Sequence, residues 1–192
     1  MSSSTSKNLK LTDIDPLDLA RQLTLLESAL YQKIQPMEFL QRARQVRARR
    51  LEQGSDSAIN AMAQDNIGSV IQTTNRIVDW MMESVLSSSN SQSTNKNEEE
   101  DARKRAGTVE YFVLVAAHCR ALHNFSTMTA IVCGLNSSPI RRLRRTWAQV
   151  SQQHMAQFRE MRDGIEQYPR FRQVSVDVGN CGPALCTVHW YV

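Results

Sequence analysis

The stretch from Tyr111 to Trp147 constrains the fold more than any other part of this 192-residue chain. Its apolar residues recur every three or four positions, first over 112–122 and then over 128–135, and this period indicates amphipathic helices. The sequence Asn136-Ser137-Ser138-Pro139 then predicts a sharp helix-to-helix corner, because proline suits the first turn of a new helix. This part of the chain should therefore be helical.

The same period runs through most of the chain and predicts an all-α fold, an irregular multi-helix bundle. Asp15 and Pro16 are placed to cap and begin a first helix, and Pro36 opens a second. The predicted buried stripes are Leu19, Leu23, Leu26 and Leu30; Ile67, Val70, Ile71, Thr74, Ile77, Val78, Met81 and Val85; Phe112, Val115, Ala116, Cys119 and Leu122; Met128, Ile131, Val132 and Leu135, with Asn124 as the cap; and Met155, Phe158, Met161 and Ile165.

The length and composition fit one soluble domain, since 41% of the residues are hydrophobic and 22% are charged. No apolar run approaches the roughly 18 residues that a membrane span needs, and the N-terminus lacks an apolar signal core. Cys119 and Cys133 lie on apolar helical stripes and are predicted to be buried, reduced thiols. We therefore expect a cytoplasmic protein.

Three segments differ in composition from the rest. Residues 1–8 should be a flexible N-terminus, and a polar stretch at about 87–105 should be a disordered insertion, although its NEEEDARKR half could extend a helix. Residues 174–192 hold one charged residue, Asp177, and read as a tail unrelated to the domain at 9–173, with a strand suggested by CTVHWYV.

The tail also raises the question of a metal. Cys181, Cys186 and His189 lie close together in the sequence, but a structural zinc site requires four ligands. No metal site is predicted.

The net charge of +4 comes mainly from arginines at 42–50 and 141–145. Apolar residues within these runs keep helical spacing, so the arginines are expected on the opposite, solvated face. Nucleic-acid binding usually adds stacking aromatics or a groove-reading motif, and neither is present. An acidic partner or an anionic membrane surface stays open.

The sequences AAHCRALHNFSTMTAI, GLNSSPI and RLRRTW resemble the central block of the Ras-type guanine nucleotide exchange factor catalytic domain. The segment DPLDLARQLTLLESALYQKIQPMEFL, from Asp15 to Leu40, resembles the opening of that domain. The two blocks occur in the family's order, and the resemblance covers about Leu9 to Gln173. It implies an all-helical bowl that binds a Ras-like small GTPase, needs no cofactor and performs no covalent chemistry, so that no residue is catalytic in the covalent sense.

The resemblance also implies a pocket for the second switch segment of the GTPase. Its residues would come from the long helix and from the helices around the corner: Ile71, Gln72, Asn75, Thr129, Cys133, Asn136, Ser137, Ser138 and Arg141. Gln72 and Arg141 differ from the family's pattern at those places. Asn136 and Ser138 would cap helices whatever the function, and Ile71 and Cys133 could equally be plain core residues.

In the family, a later helical hairpin displaces the first switch segment. The resemblance fades near Gln173, before that hairpin begins, so we expect a truncated domain that is inactive alone. In the family, the part of the domain after this point covers apolar faces of these helices, so we expect some of these faces to be exposed in this chain. The resemblance further implies recruitment to the inner face of a membrane, through contact with the GTPase.

Two other functions stay open beside the exchange factor. One is a helical scaffold or decoy that binds a protein partner without exchange, and the other is a basic helical protein that binds acidic partners. A covalent enzyme is the weakest alternative, because no motif links any of the four histidines to a serine or cysteine nucleophile: His118, His123, His154 and His189.

Overall fold

The computed structural model describes residues 10–51, 65–87 and 98–166. Within them, a 3-10 turn at Leu11–Asp13 precedes eight α-helices. The helices are α1 (Pro16–Tyr31), α2 (Pro36–Leu51), α3 (Asn66–Ser87), α4 (Glu98–Ala121), α5 (Phe125–Leu135), α6 (Ser138–Arg141), α7 (Arg144–Gln149) and α8 (Gln152–Glu166). No described residue lies in a strand, so the all-α prediction is confirmed. The expectations for residues 1–8 and 174–192 fall outside the described residues.

Two helix starts form as the sequence predicts. Asp15 Oδ1 accepts the backbone N–H of Leu17 at 2.7 Å, and Pro16 is the first residue of α1. Asn124 Oδ1 accepts the backbone N–H of Thr127 at 3.0 Å at the start of α5. Both side chains satisfy backbone donors that the helix itself leaves unpaired.

Helix α4 lies at the centre of the fold and contacts α1, α3, α5, α7 and α8. Because helices surround it, α4 is buried on several faces and not along the single predicted stripe. Its buried apolar residues are Ala102, Ala106, Val109, Tyr111, Phe112, Val113, Val115, Ala116 and Cys119.

The prediction of burial is wrong for two residues of the apolar stripes. Leu26 is 45% exposed, because α1 turns the face with Ala20 and Leu23 toward its neighbours. Leu122 is 37% exposed, because α4 ends at Ala121 and Leu122 lies in the following turn. The stripes on α3 and α5 are confirmed in outline: only Ile71 and Ile77 of α3 are half-buried rather than buried.

The prediction of a disordered insertion at about 87–105 is wrong for residues 98–105, because these residues form the first turns of α4. Ala102 and Ala106 are buried there, and Arg105 Nε donates to Thr146 Oγ1 at 3.2 Å. Four acidic residues at the helix start also favour the positive end of its dipole. The extension through NEEEDARKR is therefore real from Glu98 onward, and residues 88–97 lie outside the described part.

Helices α6, α7 and α8 meet at Trp147. Its Nε1 donates to the carbonyl of Ile140 at 2.9 Å, and its ring packs on Phe158 with centroids 5.4 Å apart. These contacts hold the short helix α6 against the end of the bundle. None of the described helices is long and apolar enough to cross a membrane.

Candidate functional site

One face of α3 carries three of the residues singled out from the sequence. Ile71, Gln72 and Asn75 are spaced i, i+1 and i+4, which places them together on a helix surface. Ile71 and Asn75 are half-buried and Gln72 is exposed. Met82 continues the same face, seven residues after Asn75, and is also half-buried.

Helices α3 and α5 approach each other closely at Gly134. A Cβ atom at this position would lie 2.3 Å from Met81 Cε and 3.1 Å from Val78 Cγ1. The two helices therefore approach closely here, and a larger residue at position 134 would force the Met81 side chain to shift. This spacing sets the distance between the α3 face and the corner that follows α5.

The corner at Asn136–Pro139 is tied directly to α3. The backbone N–H of Asn136 donates to the Val132 carbonyl at 3.0 Å, and that of Ser137 donates to the Gly134 carbonyl at 3.1 Å. The Ser137 hydroxyl donates to Met82 Sδ at 3.4 Å. The corner and the α3 face are thus parts of one continuous surface.

The corner residues are not explained by helix capping alone. Asn136 ends α5 through its backbone, and its side chain makes no hydrogen bond with a described residue. Ser137 occupies the cap position before α6 without a side-chain cap bond, whereas Ser138 is the first residue of α6 and is exposed. The polar side chains of Asn136 and Ser138 therefore remain available at the surface.

Cys133 and Thr129 lie one turn apart on α5, but only Cys133 reaches the surface. Cys133 is half-buried, whereas Thr129 is 0% exposed and belongs to the core. The Thr129 hydroxyl is buried and has no hydrogen-bond partner among the described residues. Thr129 therefore supports this surface from beneath and adds no area to it.

Positive charge borders the corner. Arg141 and Arg142 are exposed, and neither forms an ion pair with a described residue. Arg145, nearby in the sequence, is instead paired with Glu98 of α4. Because arginine pairs well with carboxylates, this edge favours an acidic surface on a partner.

We call this surface the α3–corner face. It joins eight of the nine residues predicted from the sequence with one that sequence reasoning missed, Met82, and leaves Thr129 outside. The signal for Met82 was its helical spacing from Ile71 and Asn75. The members of the face are Ile71, Gln72, Asn75, Met82, Cys133, Asn136, Ser137, Ser138 and Arg141.

The chemistry of the α3–corner face is that of a binding surface. It combines half-buried apolar side chains, amide and hydroxyl groups and one cationic edge, a mixture common in protein–protein interfaces. In the described part of the chain, no three His, Cys, Asp or Glu side chains are arranged to hold a metal ion.

Comparison with known proteins finds a family whose sequence pattern matches most of this chain. The RasGEF domain family matches residues 18–187, a range that runs past Gln173, where we expected the resemblance to end. Cell division control protein 25 of Saccharomyces cerevisiae is 38% identical over 145 residues, which is 76% of this chain and 8% of the relative.

Two further relatives are similar over most of this chain but over only a small part of their own length. Cell division control protein 25 of Candida albicans is 33% identical over 159 residues, 83% of this chain and 10% of the relative. Ras guanine nucleotide exchange factor Y of Dictyostelium discoideum is 30% identical over 151 residues, 79% of this chain and 9% of the relative. The chain thus spans about a tenth of the length of these relatives.

Proposed function

The chain belongs to the RasGEF domain family, and from this premise we propose that it binds a Ras-like small GTPase through the α3–corner face and acts in guanine nucleotide exchange. The observation that carries this proposal is the bond between Ser137 and Met82, which joins the residues on α3 to the corner. The family resemblance relates these two groups of residues to one pocket, and the packing makes them neighbours.

The polar groups on this face support a role in recognition. Asn75 Oδ1 is buried without a hydrogen-bond partner among the described residues, whereas the side chain of the half-buried Asn136 is available at the surface. A buried polar group without a partner costs about 1–3 kcal/mol. We propose that donors on the GTPase offset this cost when the second switch segment binds.

Exchange requires more than binding. A partner that binds the loaded and empty GTPase equally well shifts no equilibrium, however tightly it binds. We propose that this chain prefers the nucleotide-free form, but that docking at the α3–corner face alone accelerates nucleotide release only weakly, by less than about tenfold or 1.4 kcal/mol of barrier.

The first experiment measures affinity. The 192-residue chain is titrated against nucleotide-free, GDP-loaded and GTP-loaded forms of several Ras-like GTPases. We expect saturable binding that is tightest for the nucleotide-free form of at least one of them. Binding that ignores the nucleotide state would support a scaffold or decoy instead, and the absence of binding would reject the partner class.

The second experiment locates the surface. Asn136→Ala and Arg141→Glu should each weaken binding at least about fivefold, because one removes a polar contact and the other reverses the charge at the interface. Arg159→Glu is the matched control, since Arg159 is an exposed arginine on α8 outside this face. Equal losses for Arg141→Glu and Arg159→Glu would show that only net charge matters.

Release of a fluorescent GDP analogue, measured with the chain in large excess, tests the kinetic part. We expect little acceleration. A saturable increase of tenfold or more would show that the α3–corner face is sufficient for release.

A further inference from the structure

Helix α2 packs more loosely than the other long helices of the described residues. None of residues 36–44 is buried, and α2 has no extended contact with another helix. The bonds that hold it lie in its first two turns, where Glu38 binds Asn66 and Arg42 Nη1 donates to Asp65 Oδ1 at 3.4 Å. A helix in a folded domain takes most of its stability from the packing of one face. One face of α2 is therefore available to another surface.

This available face carries apolar side chains next to an arginine. Met37, Leu40 and Arg44 are spaced i, i+3 and i+7, which places them on one side of α2. Met37 is 55% exposed and Leu40 is 54% exposed, and Arg44 is also exposed. Arg44 forms no ion pair with a described residue. We call these three residues the α2 outer face, because α2 turns its other side toward the start of α3.

The sequence of α2 is strongly basic. It contains five arginines and one acidic residue, Glu38, and the Glu38 carboxylate is already bound to Asn66 at the start of α3. In the sequence, Arg47 and Leu51 continue the spacing of the α2 outer face. A basic helix that also exposes apolar side chains is attracted to anionic surfaces.

An anionic lipid bilayer fits the α2 outer face better than other acidic partners do. A protein groove that encloses a helix needs apolar anchors at i, i+3 or i+4, and i+7, but the residue at i+7 from Met37 is Arg44. Nucleic-acid binding usually adds stacking aromatics or a groove-reading motif, and the α2 outer face has neither. A bilayer surface accepts apolar side chains between its headgroups, and it lets the arginine reach the lipid phosphates.

We propose that α2 binds an anionic bilayer surface and lies parallel to it, with Met37 and Leu40 between the headgroups and Arg44 paired with their anionic groups. The contact is shallow and largely electrostatic, so it should weaken as the salt concentration rises. The family resemblance implies membrane recruitment through the GTPase, whereas this contact is made by the chain itself. The α2 outer face shares no residue with the α3–corner face.

Sedimentation with lipid vesicles measures this contact with the 192-residue chain. Neutral vesicles contain phosphatidylcholine, and anionic vesicles contain in addition about 30 mol% phosphatidylserine. We expect the chain to bind the anionic vesicles at least about tenfold more tightly than the neutral ones. Most of this binding should be lost when the salt concentration is raised from about 0.1 M to about 0.5 M.

Variants with matched controls assign the residues. Arg44→Glu should weaken binding to anionic vesicles at least about fivefold, and Leu40→Ser should weaken it about threefold. The controls are Arg159→Glu, at an exposed arginine of α8, and Leu25→Ser, at a leucine of α1 that is 63% exposed. Both controls should leave binding within about twofold. All four positions are exposed, so the variants should fold, and thermal melts check this.

Hydrogen exchange locates the contact on the chain. The backbone amides of α2 should exchange at least about fivefold more slowly with anionic vesicles than with neutral ones, because a helix held on a surface opens less often. The amides of α8 should exchange at the same rate with both kinds of vesicle.

Four results would overturn the proposal. They are equal binding to neutral and anionic vesicles, equal losses for Arg44→Glu and Arg159→Glu, unchanged binding by Leu40→Ser, and slowed exchange confined to helices other than α2. Tighter binding to soluble polyglutamate or to RNA than to the anionic vesicles would also overturn it, because it would assign the α2 outer face to another class of partner. None of these results bears on the α3–corner face, because the vesicle experiments contain no GTPase.

Discussion

Glu38 in the first turn of α2 binds Asn66, the first residue of α3, with both of its carboxylate oxygens. Oε2 accepts the backbone N–H of Asn66 at 2.8 Å, and Oε1 accepts the side-chain amide of the same residue at 2.8 Å. Oε1 also accepts the backbone N–H of Gln35 at 3.0 Å. One side chain therefore satisfies donors at the start of two helices and fixes how α3, which carries half of the α3–corner face, begins.

The first prediction concerns Glu38. The amide of Asn66 and the backbone N–H of Gln35 hold the pKa of Glu38 below its ordinary value of 4.5. A carboxylate with a lowered folded pKa stabilises the fold above the unfolded pKa, and this stabilisation is lost as the pH falls through the folded pKa. Glu38→Gln should therefore lower the free energy of unfolding by about 1 kcal/mol at pH 7, measured by urea denaturation.

The pH dependence separates this effect from a general loss of charge. The difference between wild type and Glu38→Gln should shrink as the pH falls below 4.5. Glu83→Gln on α3 serves as the control and should change the free energy of unfolding little at any pH. A difference for Glu38→Gln that stays constant down to pH 3 would contradict the prediction.

The second prediction concerns the contact between α3 and α5. Gly134→Ala would place a Cβ 2.3 Å from Met81 Cε and 3.1 Å from Val78 Cγ1, and because Met81 is 0% exposed its flexible tip would have to repack within the core. Overpacking of this kind costs about 1–3 kcal/mol, which exceeds the gain in helix propensity of up to about 1 kcal/mol. We expect a net loss of about 1 kcal/mol in a denaturant melt, partly rescued by Met81→Leu.

A second helical glycine provides the control. Gly107 lies in α4 and is exposed, and a Cβ there would meet nothing within 4 Å. Gly107→Ala should stabilise the chain by about 0.5–1 kcal/mol. If the two substitutions had the same sign, the close approach of α3 and α5 at Gly134 would not be the cause.

The third prediction concerns Thr129. Its hydroxyl is buried and has no partner among the described residues, so replacing it by a methyl group removes a desolvation cost. Thr129→Val should leave the stability unchanged or raise it by about 1 kcal/mol, and it should leave binding to the GTPase intact. Thr129→Glu should instead unfold the chain, because a carboxylate would be buried without a partner. A folded Thr129→Glu variant would place Thr129 at the surface.

These examples show what the sequence could predict. The cap at Asp15 and the stripe along α3 were predictable, because capping chemistry and the 3.6-residue period are local. The orientation of each helix was not, since it depends on neighbours that are distant in the chain. Leu26 therefore fell on the wrong side of α1, and α4 was buried on more faces than one stripe suggested.

The candidate site likewise has features that the local sequence predicts and contacts that it does not. The corner at Asn136–Pro139 was predictable because its residue types are typical of a helix junction. Local sequence did not show that Met82 would contact Ser137, or that Glu38 would bind Asn66 across 28 positions. Thr129 has the spacing of a surface residue beside Cys133, and only the packing of α5 places it inside.

The last prediction uses the two cysteines of the described residues as reporters. Burial raises the pKa of Cys119 to about 12, with the carboxylate of Glu27 adding to the effect. Because the thiolate is the reactive form, Cys119 should stay unmodified by iodoacetamide at pH 8 as long as the chain is folded. Cys133 is half-buried on the α3–corner face and should be alkylated measurably faster.

A saturating Ras-like GTPase should then slow the modification of Cys133 at least about fivefold, because a bound partner excludes the reagent from the interface core. Peptide mass spectrometry measures both rates in one sample, and the unreactive Cys119 shows that the chain is still folded. The Asn136→Ala variant, which should bind weakly, should lose the protection at the same GTPase concentration. Unchanged alkylation of Cys133 in a complex that is demonstrably saturated would place the GTPase on another surface.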